Sequence, residues 1–391
     1  MTHDERPEPP VRARYRVLLR PGESARDRGE AIAREQSLEV PPGASTPEID
    51  AHFLARVEEV TPFATSEVRG RRMARVEVAY PAPLFDGSLT QLLNVLWGNV
   101  SLMDGVLLEE AELPEPMLAG FPGPALGVPG LREKVAPGST RPLVSSALKP
   151  VGLDVPALVR LARTLARAGV DVIKDDHGLA DQAVAPFSDR VVRVAEAIRE
   201  ENARTGGCTL YFPNVTAGSR RLEARAHEAR AAGCDGVVIC PGLTGLDGLR
   251  ALREEVPGLA LMAHPSHAST SPGAARGIAP DLLMGTLWRL AGADCLVYVN
   301  ARGRFAWPLD TCLAINRRAR APLGPHLPAF PVPAGGIQAS EVAHWFETYG
   351  PDTLLLIGGS VLEAPDVEAR ARTVVEAARR AGGPTASRSG S

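Results

Sequence analysis

From Leu143 onward, short apolar runs alternate with amphipathic stretches. The runs are Leu143–Leu148, Val170–Ile173, Thr209–Phe212, Gly236–Cys240, Leu259–Ala263, Cys295–Val299, Ala329–Val332 and Leu354–Ile357. Helix-period segments separate them, from Val155–Ala168 to a last one at Val367–Ala381. Parallel strands covered on both faces read as continuous apolar runs of this kind, without polar alternation. Eight strand–helix units predict an α/β fold with a closed (β/α)8 TIM barrel over residues 141–382. No Gly-x-Gly-x-x-Gly follows the first run, so an open dinucleotide-binding sheet gains no support.

Upstream the pattern is mixed. Arg14–Leu19 and Arg72–Tyr80 alternate as strands do, and Gly22–Glu35 has helical spacing. Glu48–Val60 fits strand or helix, Leu89–Trp97 a helix, and Gly105–Leu113 another alternating strand. Together they predict a smaller N-terminal α+β, ferredoxin-like domain over residues 11–140. Its last part, residues 114–140, is rich in Pro and Gly and reads as a linker. Residues 1–10 and 383–391 read as disordered tails.

Composition narrows the function classes. The chain has 391 residues, 45% of them hydrophobic, and a net charge of −3. That leaves no basic field for nucleic acid or an anionic membrane. No run approaches the roughly 18 apolar residues of a membrane span. The N-terminus is charged and proline-rich, without a signal-peptide core, so a cytoplasmic protein is expected. The five cysteines form no CxxC pair and read as buried free thiols.

In a barrel of this type, chemistry belongs at the C-terminal ends of the strands. Strand 2 opens into Lys174-Asp175-Asp176-His177, four polar residues that cannot all be core. A lysine beside carboxylates and an imidazole suits a hard-metal site or a general base; a plain surface turn is the bland alternative. Strand 1 ends at Lys149, strand 3 at Asn214, strand 5 at His264 with His267 beyond, and strand 6 at Asn300 with Arg302 and Arg304 following. His264 also fits a hydrogen-bonded core histidine, and the two arginines fit solvated surface. Gly335-Gly336 and Gly358-Gly359 follow strands 7 and 8, where backbone N–H groups can cradle a phosphate.

Ordered segments along nearly the whole chain carry a resemblance. They include Ala31-Ile32-Ala33-Arg34-Glu35, Tyr80-Pro81-Ala82-Pro83-Leu84-Phe85, Gly98-Asn99-Val100, Phe121-Pro122-Gly123-Pro124, Leu148-Lys149-Pro150, Gly169 to Asp176, Ala263-His264 and Gly335-Gly336-Ile337. The sequence resembles the RuBisCO large-chain family, and more closely its non-carboxylating RuBisCO-like (form IV) members. The resemblance implies a homodimer with shared active sites and no small subunit. It implies that Lys174, carrying a carbamate, binds Mg²⁺ with Asp176, His177 standing where the family has a glutamate ligand; Mn²⁺ is able to substitute. Lys149 matches the lysine of proton transfer, and His264 a histidine near the reacting hydroxyls. Glu35 and Asn99 match residues lent by the neighbouring subunit. Gly336, Gly358 and Gly359 match one phosphate cradle.

The departures bear on function. The second lysine expected two positions after Lys149 is absent, Pro265 replaces an arginine anchor for a second phosphate, and Ala334 replaces a serine. The loop after strand 6 runs Asn300-Ala301-Arg302-Gly303-Arg304-Phe305, without the lysine that closes over carbon dioxide. Arg304, the residue near that position, cannot replace an ammonium. Metal-dependent enolisation of a singly phosphorylated keto sugar or keto sugar acid is therefore expected, leading to an isomer, a tautomer or a decarboxylation or C–C cleavage product. A 3-oxo-isoapionate 4-phosphate type of substrate is slightly favoured over methylthio-sugar phosphates. A divergent carboxylase and a non-catalytic sugar-phosphate binder are the alternatives.

Overall fold

The computed structural model describes residues 8–68, 70–303 and 305–381. The chain divides into two compact units. The first runs to Phe121 and takes in Ser269–Leu283; the second holds Pro122–Ala268 and the chain from Met284 on. The expected tails, apart from residues 8–10, lie outside the described residues, as does Arg304.

In the first unit, strands Val11–Leu18, Arg56–Val68, Arg71–Tyr80 and Val106–Glu112 pair antiparallel in the order fourth, first, third, second. With helices Ala25–Glu35 and Leu89–Trp97 this is the βαββαβ arrangement. Period-two alternation sets the first strand. Val11, Ala13, Tyr15 and Val17 are fully buried. Arg12, Arg14 and Arg16 take the other face, where they pair with Glu58, Glu77 and Glu109. Ser24 Oγ accepts from the Asp27 N–H at 3.0 Å and starts the helix. The ambiguous stretch from Glu48 resolves as helix Pro47–Phe53 followed by the strand from Arg56. A two-residue strand, Gly277–Ile278, lies parallel to Val106–Glu112 at the sheet edge.

In the second unit, eight parallel strands form one sheet: Leu143–Leu148, Val172–Asp175, Leu210–Phe212, Gly236–Ile239, Ala260–Ala263, Cys295–Val299, Phe330–Ala334 and Leu354–Leu356. A bridge between Asn214 and Val238 joins strand 3 to strand 4 and closes the ring. The barrel interior is a single apolar cluster that includes Leu143, Val172, Phe212, Met262, Val297 and Phe330.

Residues 122–140, expected as a linker, pack within the barrel unit. Helix Gly127–Val135 sends Val128, Leu131 and Val135 into the barrel cluster from the side where the strands begin. Asp294, just before strand 6, accepts from the Leu126 and Gly127 N–H groups at 2.7 and 2.8 Å. Gly127 has φ +53°, and a Cβ there would sit 2.5 Å from the Pro328 carbonyl oxygen. The glycines that suggested a linker thus serve close approach under the barrel floor.

Candidate active site

Alternation along strand 2 sorts the Lys-Asp-Asp-His residues. Val172 joins the barrel cluster, so Lys174 and Asp176 also point inward, while Asp175 points out toward the helices. Lys174, Asp175 and Asp176 are all buried and His177 is exposed, so three of the four polar residues are interior. Asp175 accepts from Tyr211 Oη at 2.8 Å, the Asn214 N–H at 3.1 Å and Arg190 Nε at 3.2 Å. Burial pushes its carboxyl up, against the pull of Arg190. Asn214 Nδ2 donates to the His177 and Leu179 carbonyls, which fixes the loop that carries Asp176 and His177. Asp175 and Asn214 therefore build the frame of the site.

Inside the barrel mouth, Asp176 is the hub. Lys149 Nζ is 2.9 Å from Asp176 Oδ2, and His177 Nδ1 is 2.7 Å from Oδ1. Burial opposes the Asp176 charge, but hydrogen bonds from His177 and Lys149 and the nearby Lys174 charge outweigh it. They hold the carboxyl well below the usual carboxylate range. Lys174 Nζ donates to the Asp175 carbonyl at 2.7 Å. Burial, offset only in part by Asp176, lowers the Lys174 ammonium to about 8. His264 stacks on His177 with ring centroids 4.3 Å apart and planes 13° off parallel. Burial, and after it the Lys174 charge, push the His264 imidazole well below 6.5.

The Lys174 shift has a consequence for stability. Its folded pKa lies below the free-lysine value of 10.5, so between about pH 8 and 10.5 the unfolded chain binds the extra proton. The contribution of Lys174 to stability therefore rises with pH across that window. Denaturant unfolding measured through it should show this slope in the wild type and a flatter profile in Lys174→Met.

Lys149, Lys174, Asp176, His177 and His264 line one cavity of about 230 Å³. Its other walls are largely apolar, with Ala147, Val297, Val299, Leu356 and Phe305 among them. It shares Gly335, Gly358 and Gly359 with an adjoining pocket of about 320 Å³, which Gly336, Ser360 and Glu363 also line. Gly335 and Gly336 take φ of +89° and +69°. The Gly335-Gly336 turn touches the loop after strand 6, for a Cβ on Gly336 would fall 2.0 Å from the Arg302 carbonyl oxygen.

Three sequence candidates stand apart from this cavity. His267 is exposed, with Nδ1 3.1 Å from the Gly242 carbonyl oxygen. Arg302 pairs with Glu341 and lies over the Trp345 ring. Asn300 is buried and accepts from Tyr349 Oη at 2.6 Å. Glu35 and Asn99, in the first unit, are hydrogen-bonded to each other at 3.0 Å. The cysteines are free and buried except for Cys208, which is exposed just ahead of strand 3. Sequence reasoning passed over Ser266, which contacts His264 Nδ1; its place two residues after the strand-5 histidine was the available signal.

A divalent metal would meet two side-chain donors here, Asp176 and His177. Among the described residues no third His, Cys, Asp or Glu joins them. Lys174 Nζ holds the remaining inward position, and as a carbamate it would present the oxygen donors that a hard cation takes. Its lowered pKa favours the unprotonated amine, the form whose lone pair attacks carbon dioxide, so the residues fit a metal on that condition.

Residues 127–305 match the family described as ribulose bisphosphate carboxylase large chain, catalytic domain. The chain is 41% identical to 5-methylthioribulose-1-phosphate isomerase of Rhodospirillum rubrum, across 91% of this chain and 92% of that protein. It is 35% identical to 2,3-diketo-5-methylthiopentyl-1-phosphate enolase of Geobacillus kaustophilus, across 76% and 73%. Among solved structures, the Rubisco-like protein from Rhodopseudomonas palustris aligns with TM-score 0.84 and 37% identity, over 95% of this chain and 98% of that one.

Proposed function

The chain belongs to the ribulose bisphosphate carboxylase large-chain family, as a RuBisCO-like protein, and from that premise we propose that it enolises a keto sugar bearing one phosphate. One observation carries this reading. Two lysines, a carboxylate and two histidines share a cavity that opens onto the glycine pocket, while Pro265 stands in its wall where a second phosphate would need an arginine.

Each residue has a task. Backbone N–H groups at Gly336, Gly358 and Gly359 hold the phosphate. Lys149 takes the proton from the carbon beside the carbonyl. Asp176, His177 and a Lys174 carbamate would hold Mg²⁺, or Mn²⁺ in its place, which when bound stabilises negative charge on two neighbouring substrate oxygens. The apolar walls suit an uncharged tail better than a second anion. That feature, and the names of the two relatives, favour a methylthio-pentulose 1-phosphate over the branched sugar-acid phosphate expected from the sequence. In D₂O, the metal-loaded enzyme should exchange the α-proton of 5-methylthioribulose 1-phosphate, and exhaustive chelation should abolish the exchange. Exchange that survives chelation would remove the metal from the scheme; no exchange with any singly phosphorylated keto sugar would favour the non-catalytic binder.

The same reading makes the working form a homodimer, in which Glu35 and Asn99 of one copy complete the barrel site of the other. Mixing Glu35→Ala with Lys149→Met protein should then restore part of the activity each lacks, through hybrid dimers with one intact site. A mixture as inactive as its components would show that each copy uses its own residues.

A further inference from the structure

The two ring nitrogens of His264 are in different positions. The Ser266 backbone N–H donates to Nδ1 at 3.3 Å, and Ser266 Oγ lies 3.1 Å from the same atom. A backbone N–H can only donate, so Nδ1 is the acceptor and carries no proton. A neutral imidazole has one N–H, which is then on Nε2. Among the described residues Nε2 has no partner, and the ring lines the cavity.

The turn that makes this contact is held firmly. The His264 N–H donates to the Ile239 carbonyl at 2.8 Å, which ties it to strand 4. A Cβ on Gly242 would fall 2.2 Å from the His267 carbonyl oxygen and 2.7 Å from that of Ser266, so the start of helix Pro241–Glu255 packs directly against the turn. On the other side, the His177 ring restrains the His264 plane by stacking.

We propose that Ser266 is a positioning residue that fixes His264 as its Nε2–H tautomer, so that His264 donates a hydrogen bond to the substrate oxygen and is not the base. This assignment of roles rests on the enolisation reading. In that reaction the C–H proton passes to Lys149 Nζ, and the electron pair left on carbon shifts onto the carbonyl oxygen. The Nε2–H of His264 hydrogen-bonds that oxygen as its charge grows and keeps its own proton. With Nδ1 engaged by Ser266 and Nε2 protonated, no lone pair of the ring faces the cavity, so the two catalytic side chains cannot exchange roles.

The direct test is a long-range ¹H–¹⁵N correlation spectrum of the full-length protein with ¹⁵N-histidine, at neutral pH, with His264→Gln to identify the resonance. Protonated Nε2 and bare Nδ1 are expected, and Ser266→Ala, which keeps the backbone donor, should leave the tautomer unchanged. An Nδ1–H tautomer or a doubly protonated ring in the wild type would overturn the proposal. The second measurement is proton exchange on 5-methylthioribulose 1-phosphate. His264→Gln retains an N–H donor and should stay within about tenfold of wild type, whereas His264→Leu should lose about a hundredfold or more. Equal losses in two folded variants would mean that the ring does more than donate. A wild-type enzyme inert toward this probe would count against the enolisation reading, while the spectrum would still decide the tautomer.

Discussion

Lys149→Met should keep the fold and lose about a hundredfold or more in substrate proton exchange. The chain has three lysines: Lys134, Lys149 and Lys174. Lys134 sits in the helix under the barrel floor and pairs with Asp235. Lys174 is buried and is the inward group available to hold a metal through its carbamate. Lys149 is the lysine that is both half-exposed and directed into the cavity, anchored on Asp176 at 2.9 Å. Methionine matches its length and carries no proton-accepting nitrogen. Asp176 keeps its bond to His177 in the variant, so the rest of the cluster stays in place. Unfolding curves and substrate affinity should therefore remain near wild type while exchange collapses. A variant that exchanges at the wild-type rate would put the base elsewhere.

Gly358→Val should weaken binding of the phosphorylated substrate by about a hundredfold without weakening the fold. Gly358 has φ −108°, which any residue adopts, and a Cβ there meets nothing within 4 Å. The added side chain costs no strain and fills the pocket where the phosphate belongs. Losing two charge-assisted N–H contacts costs about 3 kcal/mol, or about a hundredfold in Kd. Gly336 makes the contrast, since it has φ +69° and the Arg302 carbonyl oxygen lies 2.0 Å from its would-be Cβ. Gly336→Val should lower the unfolding midpoint as well as affinity. Titration with the phosphorylated substrate alongside thermal unfolding separates the two effects. Unchanged affinity in Gly358→Val would remove the phosphate from this pocket.

The sequence carried the barrel because its signal is local and repeated: buried strands are apolar runs, amphipathic helices separate them, and in places a polar cap marks where a helix starts. Asp154, for example, accepts from the Ala157 N–H at 2.8 Å and starts helix Val155–Arg167. The same alternation explains why Lys174 and Asp176 share the cavity while Asp175 turns to Arg190 and Tyr211. Two features were not legible. Helix Gly127–Val135 looks like a linker because its glycines serve close packing on Pro328 and Leu126. The strand Gly277–Ile278 is two residues long, too short for any periodicity, yet it returns to the first unit's sheet by pairing with Leu107 and Leu108. At the site, residue types at strand ends pointed to Lys149, Lys174, Asp176, His177 and His264. Hydrogen-bond direction was beyond reach, because the Ser266 contact that distinguishes the two nitrogens of His264 depends on the turn and not on composition.

The central claim is enolisation without carboxylation, and one spectrum addresses both halves. The metal-loaded enzyme is incubated in D₂O with ¹³C-bicarbonate and either 5-methylthioribulose 1-phosphate or ribulose 1,5-bisphosphate, and the products are read by ¹³C and ²H NMR. The account predicts deuterium at the α-carbon of the singly phosphorylated sugar and no ¹³C bonded to either sugar. New ¹³C–carbon bonds in the bisphosphate, with no deuterium in the monophosphate, would contradict it.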